Sequence, residues 1–334
     1  MAKKTVYVLG AGASYDAGGP LTKDFFSRHG RYDSIIYPTY YENPGRPSDG
    51  LRFSVLKHAY SFWASTTANP GIEGFFQNVS DKRVMGKSYY NPRTGSKYTY
   101  EQLHDFLIWY ICSYIRHSIA ARRHIPRYYA DFARYIHKRR RHSTVISFNY
   151  DLVFDRILSR ELGGIDYCLG VSRPRVFAKG MPFLKLHGST NWLKCTRCSR
   201  IVVEKEEQGQ HFPKRACGSR CPGRMKPLII PPVRDKTQYL GERNNLWIYA
   251  DKYLSEADSI VIIGYSLPEV DTAAQELLRD HIRTLGYADI IVRSPGTLQA
   301  VARRLGLNSG TLPLPYTPTP TSFEEFVNTI CKKG

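Results

Sequence analysis

Thr5-Val6-Tyr7-Val8-Leu9-Gly10-Ala11-Gly12-Ala13-Ser14 is the stretch on which the fold turns. Its first five residues form a nearly continuous apolar run closed by Gly10, the pattern of a strand buried on both faces of a parallel sheet, and a helix is expected to follow. Gly10 to Ser14, between a strand and a helix, let backbone amides approach a diphosphate at a helix N-terminus. A plain tight turn is the other reading, because Tyr15 stands where the dinucleotide fingerprint has its third glycine. Further strand-sized apolar runs occupy Thr144 to Phe148, Phe183 to Leu186, Leu228 to Ile230, Ser259 to Ile263 and Asp289 to Val292. Several lead into helical patterns, so the expected class is α/β with a doubly wound parallel sheet.

Thr99 and Gln102 have capping-box spacing, and Leu103, Phe106, Leu107, Tyr110, Ile111, Tyr114 and Ile115 then recur at three and four residues, which predicts a helix. Pro126 suits the first turn of a second helix carrying Tyr129, Phe132 and Ile136. Ser266, Pro268 and Glu269 read as the start of a third, with Val270, Ala274, Leu277, Leu278 and Ile282 facing inward. Residues 27 to 52 and 80 to 100 have no sustained period and read as long loops, with a short helix expected over Ile72 to Phe76. Gly310 to Thr321 reads as an extended connector before a terminal helix.

The 334 residues are 42% hydrophobic and 23% charged, a globular balance that excludes a fibrous or disordered chain. No apolar run reaches the ~18 residues of a membrane-spanning helix, and the N-terminal apolar stretch is too short for a signal peptide, so a cytoplasmic protein with no membrane partner is expected. A formal net charge of +19, from 48 Lys and Arg against 29 Asp and Glu, predicts attraction to polyanions. Its densest stretches, Arg116 to Arg127 and Arg134 to His142, suit direct nucleic-acid binding or a solvated face beside an acidic partner.

Seven cysteines in a reducing compartment are not a disulfide framework. Cys195 and Cys198, then Cys217 and Cys221, form two knuckles eighteen residues apart, and four thiolates so placed predict a closed, structural zinc site. Cys112, Cys168 and Cys331 have no partner at ligand spacing and read as buried or incidental thiols.

Asn149 and Asp151 follow one predicted strand and His187 follows another, which would bring all three to the ligand crevice of an open parallel sheet. Singly, each suits turn chemistry or a structural histidine as well. The ordered set Gly10-Ala11-Gly12-Ala13-Ser14, Phe148-Asn149-Tyr150-Asp151, Leu186-His187-Gly188-Ser189, the cysteine pairs and Ile263-Gly264-Tyr265-Ser266-Leu267-Pro268 resembles the sirtuin superfamily over residues ~5 to 295. The resemblance implies one Rossmann-like NAD-binding domain over residues 1–334, with a helical and loop insertion at 27–142 and a zinc module at 190–226 forming a smaller lobe. It implies that Asn149 lies near the nicotinamide ribose and that His187 is the general base. It places Gly10, Ala11, Gly12, Ser14, Asp151, Gly264 and Ser266 against the cofactor.

The departures from that pattern carry information. Phe148 replaces a glutamine, Gly19-Pro20-Leu21-Thr22 stands where deacylating members carry Pro-Asp-Phe-Arg, and Pro231-Pro232-Val233 lacks the peptide-pairing Phe-Gly-Glu. The chain is in this respect similar to divergent prokaryotic sirtuin-like proteins that hydrolyse NAD in anti-phage defence. The expectation is therefore an NAD glycohydrolase acting as a regulated NAD-depleting effector. It would be homo-oligomeric and restrained by assembly or by a nucleic-acid-dependent ATPase or nuclease partner. NAD-dependent protein deacylation and a non-enzymatic nucleotide-sensing or nucleic-acid-binding subunit are the alternatives.

Overall fold

The computed structural model describes residues 3–26, 47–68, 70–92, 95–169, 180–204, 216–218, 220–231, 233, 245–307, 316 and 319–332, with residues 47–51 as backbone only. Most of the expected 27–52 loop and of the 310–321 connector lies outside these residues. β1 (Thr5–Leu9) is buried along four of its five residues and runs into a single helical turn, Ala11–Ser14. The chain then enters the insertion, whose helices Pro47–Ala64, Ile72–Val84 and Tyr100–Ala120 share a core of Leu56, Phe76, Leu107 and Tyr110 with β2 (Ser88–Tyr90) and β3 (Lys97–Thr99) alongside. The expected 80–100 loop is corrected by this: the helix runs on from Phe76 to Val84, and β2 pairs antiparallel with β3. The expected capping box is present, with the Gln102 amide donating to Thr99 Oγ1 at 3.1 Å and the Thr99 amide to Gln102 Oε1 at 2.8 Å.

Helix Arg127–Lys138, placed by sequence within the 27–142 insertion, lays its apolar face on the main sheet, where Phe132 meets Tyr7 edge-on at 5.4 Å. β4 (Ser143–Ser147), β5 (Ile165–Asp166), β6 (Met181–Lys185), β11 (Ser259–Ile263) and β12 (Asp289–Ile291) complete a six-stranded sheet in the order β12-β11-β1-β4-β6-β5, parallel throughout. Alternate residues of each strand enter different cores. Val6, Val8, Ile260 and Ile262 pack under helices Asn245–Ser255, Thr272–Leu285 and Pro295–Arg304. Tyr7, Leu9, Val261 and Ile263 pack under helices Arg127–Lys138, Val153–Leu162 and Phe323–Lys332. Helices on both faces explain why these strands read as unbroken apolar runs.

β7 (Gly188–Cys195), β8 (Ile201–Val203), β9 (Ala216–Gly218) and β10 (Cys221–Ile229) form a separate antiparallel sheet that holds the cysteines. The strand expected at Leu228 to Ile230 is present over its first two residues, which end β10 in this second sheet; a short apolar run does not itself specify which sheet receives it. The helix expected from Ser266 begins only at Thr272. Leu267 holds a left-handed φ of 47°, which no helix accommodates, and Asp271 at the N-cap makes no side-chain cap.

Candidate functional site

The carboxyl ends of β1, β4, β6, β11 and β12 open into one cleft of about 540 Å³, lined also by Phe25 and, from the helical insertion, by Glu73 and Ile115. Gly10, Ala11, Gly12, Asn149, Asp151, His187, Gly264 and Ser266 all line it. Ser14, grouped with them on sequence, is fully buried and is not among the lining residues. It acts from beneath: its hydroxyl donates to Asp151 Oδ2 at 2.7 Å and accepts from Asn149 Nδ2 at 3.0 Å.

The glycine turn is built by close approach. A Cβ on Gly10 would lie 2.4 Å from Tyr265 Cα, and one on Gly12 would lie 2.9 Å from Gly264 Cα. Gly264 itself has φ +61°, and a Cβ on it would lie 2.2 Å from the Ala13 nitrogen. The Gly10 and Gly12 amides donate to Ile263 O and Gly264 O at 3.0 and 2.8 Å. These two amides are therefore engaged with the end of β11, and the turn offers a ligand its close backbone surface at Gly10 to Gly12.

Asn149 Nδ2 also donates to Gly10 O at 2.9 Å. With both amide hydrogens engaged, what the side chain can offer a ligand is its carbonyl Oδ1, an acceptor for a hydroxyl or a water. Asp151 Oδ1 accepts from the Val153 amide at 2.9 Å and so anchors helix Val153–Leu162. Burial raises the Asp151 carboxyl above its ordinary value, with Lys185 and the Ser14 hydroxyl pulling it partly back. Lys185 is itself wholly buried, donating to Asp151 O at 2.5 Å and to Asp155 Oδ2 at 3.0 Å. A buried ammonium so held is a support for the turn above it.

His187 is 4% exposed, and its Nε2 lies 3.0 Å from Asp271 Oδ2, a carboxylate with no exposed surface. Tyr265 donates its hydroxyl to the same oxygen at 2.5 Å, and burial beside that carboxylate drives the phenol well above its ordinary pKa. Phe148 stands edge-on to the imidazole at 5.0 Å and stacks on Tyr265 at 4.4 Å. Gly188, with φ +79°, follows His187 where a Cβ would lie 2.1 Å from Leu228 O, and Ile230 N donates to His187 O at 2.8 Å. The start of the cysteine-bearing strand thus fixes the backbone beside the histidine.

Sequence reading missed Asp271 and Glu73. The first sits in what looked like a helix start, and its pairing with residue 187 has no local signature. Glu73 reaches the cleft from helix Ile72–Val84, and burial raises its carboxyl, with the Thr22 hydroxyl opposing and Asp271 reinforcing the shift. Arg293, just past the end of β12, also lines the cleft and pairs with Asp16.

The four cysteine sulfurs of Cys195, Cys198, Cys217 and Cys221 lie within 4.8 Å of one another, with pairs at 3.7 and 3.5 Å. Tetrahedral zinc with Zn–S of ~2.3 Å spaces its sulfurs by about 3.8 Å, so the set fits that ion. Amides of Cys198 and Arg197 directed at Cys195 Sγ draw its thiol down to about 6, favouring the thiolate a metal needs. A Cβ on Gly223 would lie 2.4 Å from that sulfur, so the knuckle is shaped around it. Cys112 and Cys168 are buried and lie apart from this group, as their spacing implied. No helix among the described residues is long and apolar enough to cross a membrane.

No family model and no curated protein matches the chain. Among solved structures it is similar to a Sir2 homolog–NAD complex, at 12% identity and a TM-score of 0.46, over 99% of this chain and 89% of that one. A Sir2–p53 peptide–NAD+ structure aligns at 15% identity and a TM-score of 0.43, over 99% and 92%. A mutant Sir2 homologue in complex with ADP ribose aligns at 14% and 0.44, over 99% and 91%.

Proposed function

We propose that the chain is an NAD glycohydrolase, in which water replaces nicotinamide at the ribose anomeric carbon. The reaction balances as NAD+ and water giving nicotinamide, ADP-ribose and one proton. The observation that carries the reading is the meeting of Asn149 and His187 at one cleft beside the glycine turn, in the arrangement the motif resemblance implies. Asn149 Oδ1 orients the ribose hydroxyl or the attacking water, and His187 takes a proton from one of them. Gly10, Ala11 and Gly12 with Gly264 and Ser266 receive the rest of the dinucleotide, while Asp151 and Ser14 hold the turn that carries Asn149. The oxocarbenium character expected of the transition state favours a site with carboxylates close by. Asp271 supplies one.

The assay is nicotinamide release from NAD+ with and without an acetylated peptide. Release in both tubes supports hydrolysis, and release only with peptide replaces it by deacylation. Asn149→Ala and His187→Ala should each lower turnover about 100 to 10,000-fold, the span for loss of a general acid or base. Near-wild-type turnover in both would refute the reading. The four cysteines hold a structural zinc in this proposal, with no open position for water.

A cell carrying an unrestrained NAD hydrolase would lose its own cofactor, so the reading includes control by homo-oligomerisation or by a nucleic-acid-dependent ATPase or nuclease, as for an anti-phage effector. Light scattering beside NAD assays across protein concentration and added nucleic acid tests this. A monomer whose specific activity responds to neither defeats it.

A further inference from the structure

We propose that Asp271 is the positioning residue for His187, fixing both the ring orientation and the tautomer in which it acts; the inference rests on the hydrolase reading above. A neutral imidazole carries one N–H and one lone pair, and which nitrogen has which is set by the partner of the other. Asp271 Oδ2 stands 3.0 Å from Nε2 and is an acceptor, so Nε2 carries the hydrogen and Nδ1 the lone pair. The proton removed in the reaction therefore arrives at Nδ1, and the resulting imidazolium is balanced by the carboxylate.

The surroundings hold this pair in one geometry. Tyr265 donates to the same carboxylate oxygen, while Phe148 and Tyr150 flank the ring at 5.0 and 6.0 Å between centroids. The backbone on either side of Asp271 is tied down as well: its N–H donates to Pro268 O at 3.0 Å, and its carbonyl accepts from Gln275 N at 3.1 Å. Arg304 donates to Ser266 O and Leu267 O at 2.8 and 2.9 Å, clamping the left-handed turn that delivers Asp271 to the cleft. The charged and titratable groups around the pair are Tyr265, Tyr150 and Glu73, with Arg304 acting on Glu73 from behind. A carboxylate that merely began a helix would cap it, and Asp271 makes no such bond.

The test is nitrogen NMR of histidine-labelled protein, with His187 assigned by its loss in His187→Gln. Wild type should show Nε2–H. Asp271→Asn, which presents an amide in place of the carboxylate, should move His187 towards Nδ1–H and lower kcat about 100 to 10,000-fold with KM changed only a few-fold. Asp271→Glu should restore the wild-type nitrogen pattern and part of the rate. An Nδ1–H tautomer in wild type overturns the inference whether or not the Asp271 variants fold. A folded Asp271→Asn with unchanged kcat overturns it also. The two questions separate cleanly: absence of NAD+ cleavage by wild type removes the hydrolase reading, while the nitrogen spectrum alone decides the pairing.

Discussion

Ser14 has a short side chain that makes two hydrogen bonds beneath the site. It joins Asn149 to Asp151 beneath the cleft, and no solvent reaches it to substitute for a lost hydroxyl. Ser14→Ala should therefore destabilise the fold by about 1 to 3 kcal/mol, the range for leaving a buried polar group without its partner, as read by urea unfolding. A change within a few tenths would show that the Asn149–Asp151 turn stands without it. Glu73 makes the opposite case, a carboxyl whose burial works against its charge. Its raised value means the native state keeps the proton to higher pH than the unfolded chain, whose ordinary value is 4.5. Native-state stability therefore falls as pH rises from there through the raised native value. Glu73→Gln removes that loss. Its stability relative to wild type should climb as pH rises past the ordinary value and level off once the raised native value is passed, in paired urea titrations. A difference that is flat with pH would remove the burial argument.

Among the elements, the cysteine sheet has little apolar core of its own around the sulfurs, where Leu193, Cys195 and Met225 form a small cluster. Metal binding must then supply much of its cohesion. Cys195→Ser and Gly223→Ala should both lower zinc content from about one per chain in metal analysis, the first by removing a ligand and the second by crowding one. Because β7 leads directly from His187, nicotinamide release should fall with the metal, as an indirect effect. Full occupancy in both variants, or none in wild type purified without chelator, would refute the zinc assignment. The elements also show where sequence reading reached. β1 and β11 were legible because burial on both faces makes them nearly continuous apolar runs, and β4, β6 and β12 because short apolar stretches lie within or beside them. Helix Tyr100–Ala120 was legible because its cap and apolar stripe are local. Helices Pro47–Ala64, Val153–Leu162 and Asn245–Ser255 went unread. The start at Thr272 was misplaced because Ser266 and Pro268 mimic helix-start chemistry while tertiary contacts hold Leu267 and Asp271 elsewhere. His187 and Asn149 were legible from strand ends and motif order. Asp271 was not, since its partner lies 84 residues away and only the folded sheet brings them together.

At the scale of the whole molecule, two strongly basic stretches among the described residues lie outside the cleft lining. Residues 121–125 and 140–142 are exposed at the two ends of the segment containing helix Arg127–Lys138. Binding to a generic duplex through such a surface would weaken steeply with salt, so titrations at about 50 and 200 mM should differ by 10- to 1,000-fold if several phosphates are neutralised together. Salt-independent binding, or none, would assign the charge to solvation or an acidic protein partner. The sheet order has a further consequence, and it concerns time. β1 is a central strand with β4 on one side and β11 on the other, and the Lys4 amide meets Asp258 across a separation of 254 residues. At translation rates of about 5 to 20 residues per second, the nascent N-terminus waits roughly 13 to 50 s for that neighbour. Throughout this interval one edge of an apolar strand is open to other chains. A nascent chain stalled before Ser259 should be protease-sensitive and bind chaperones, and one carrying all 334 residues out of the ribosome on an added C-terminal linker should be protected, with the change coming late in synthesis.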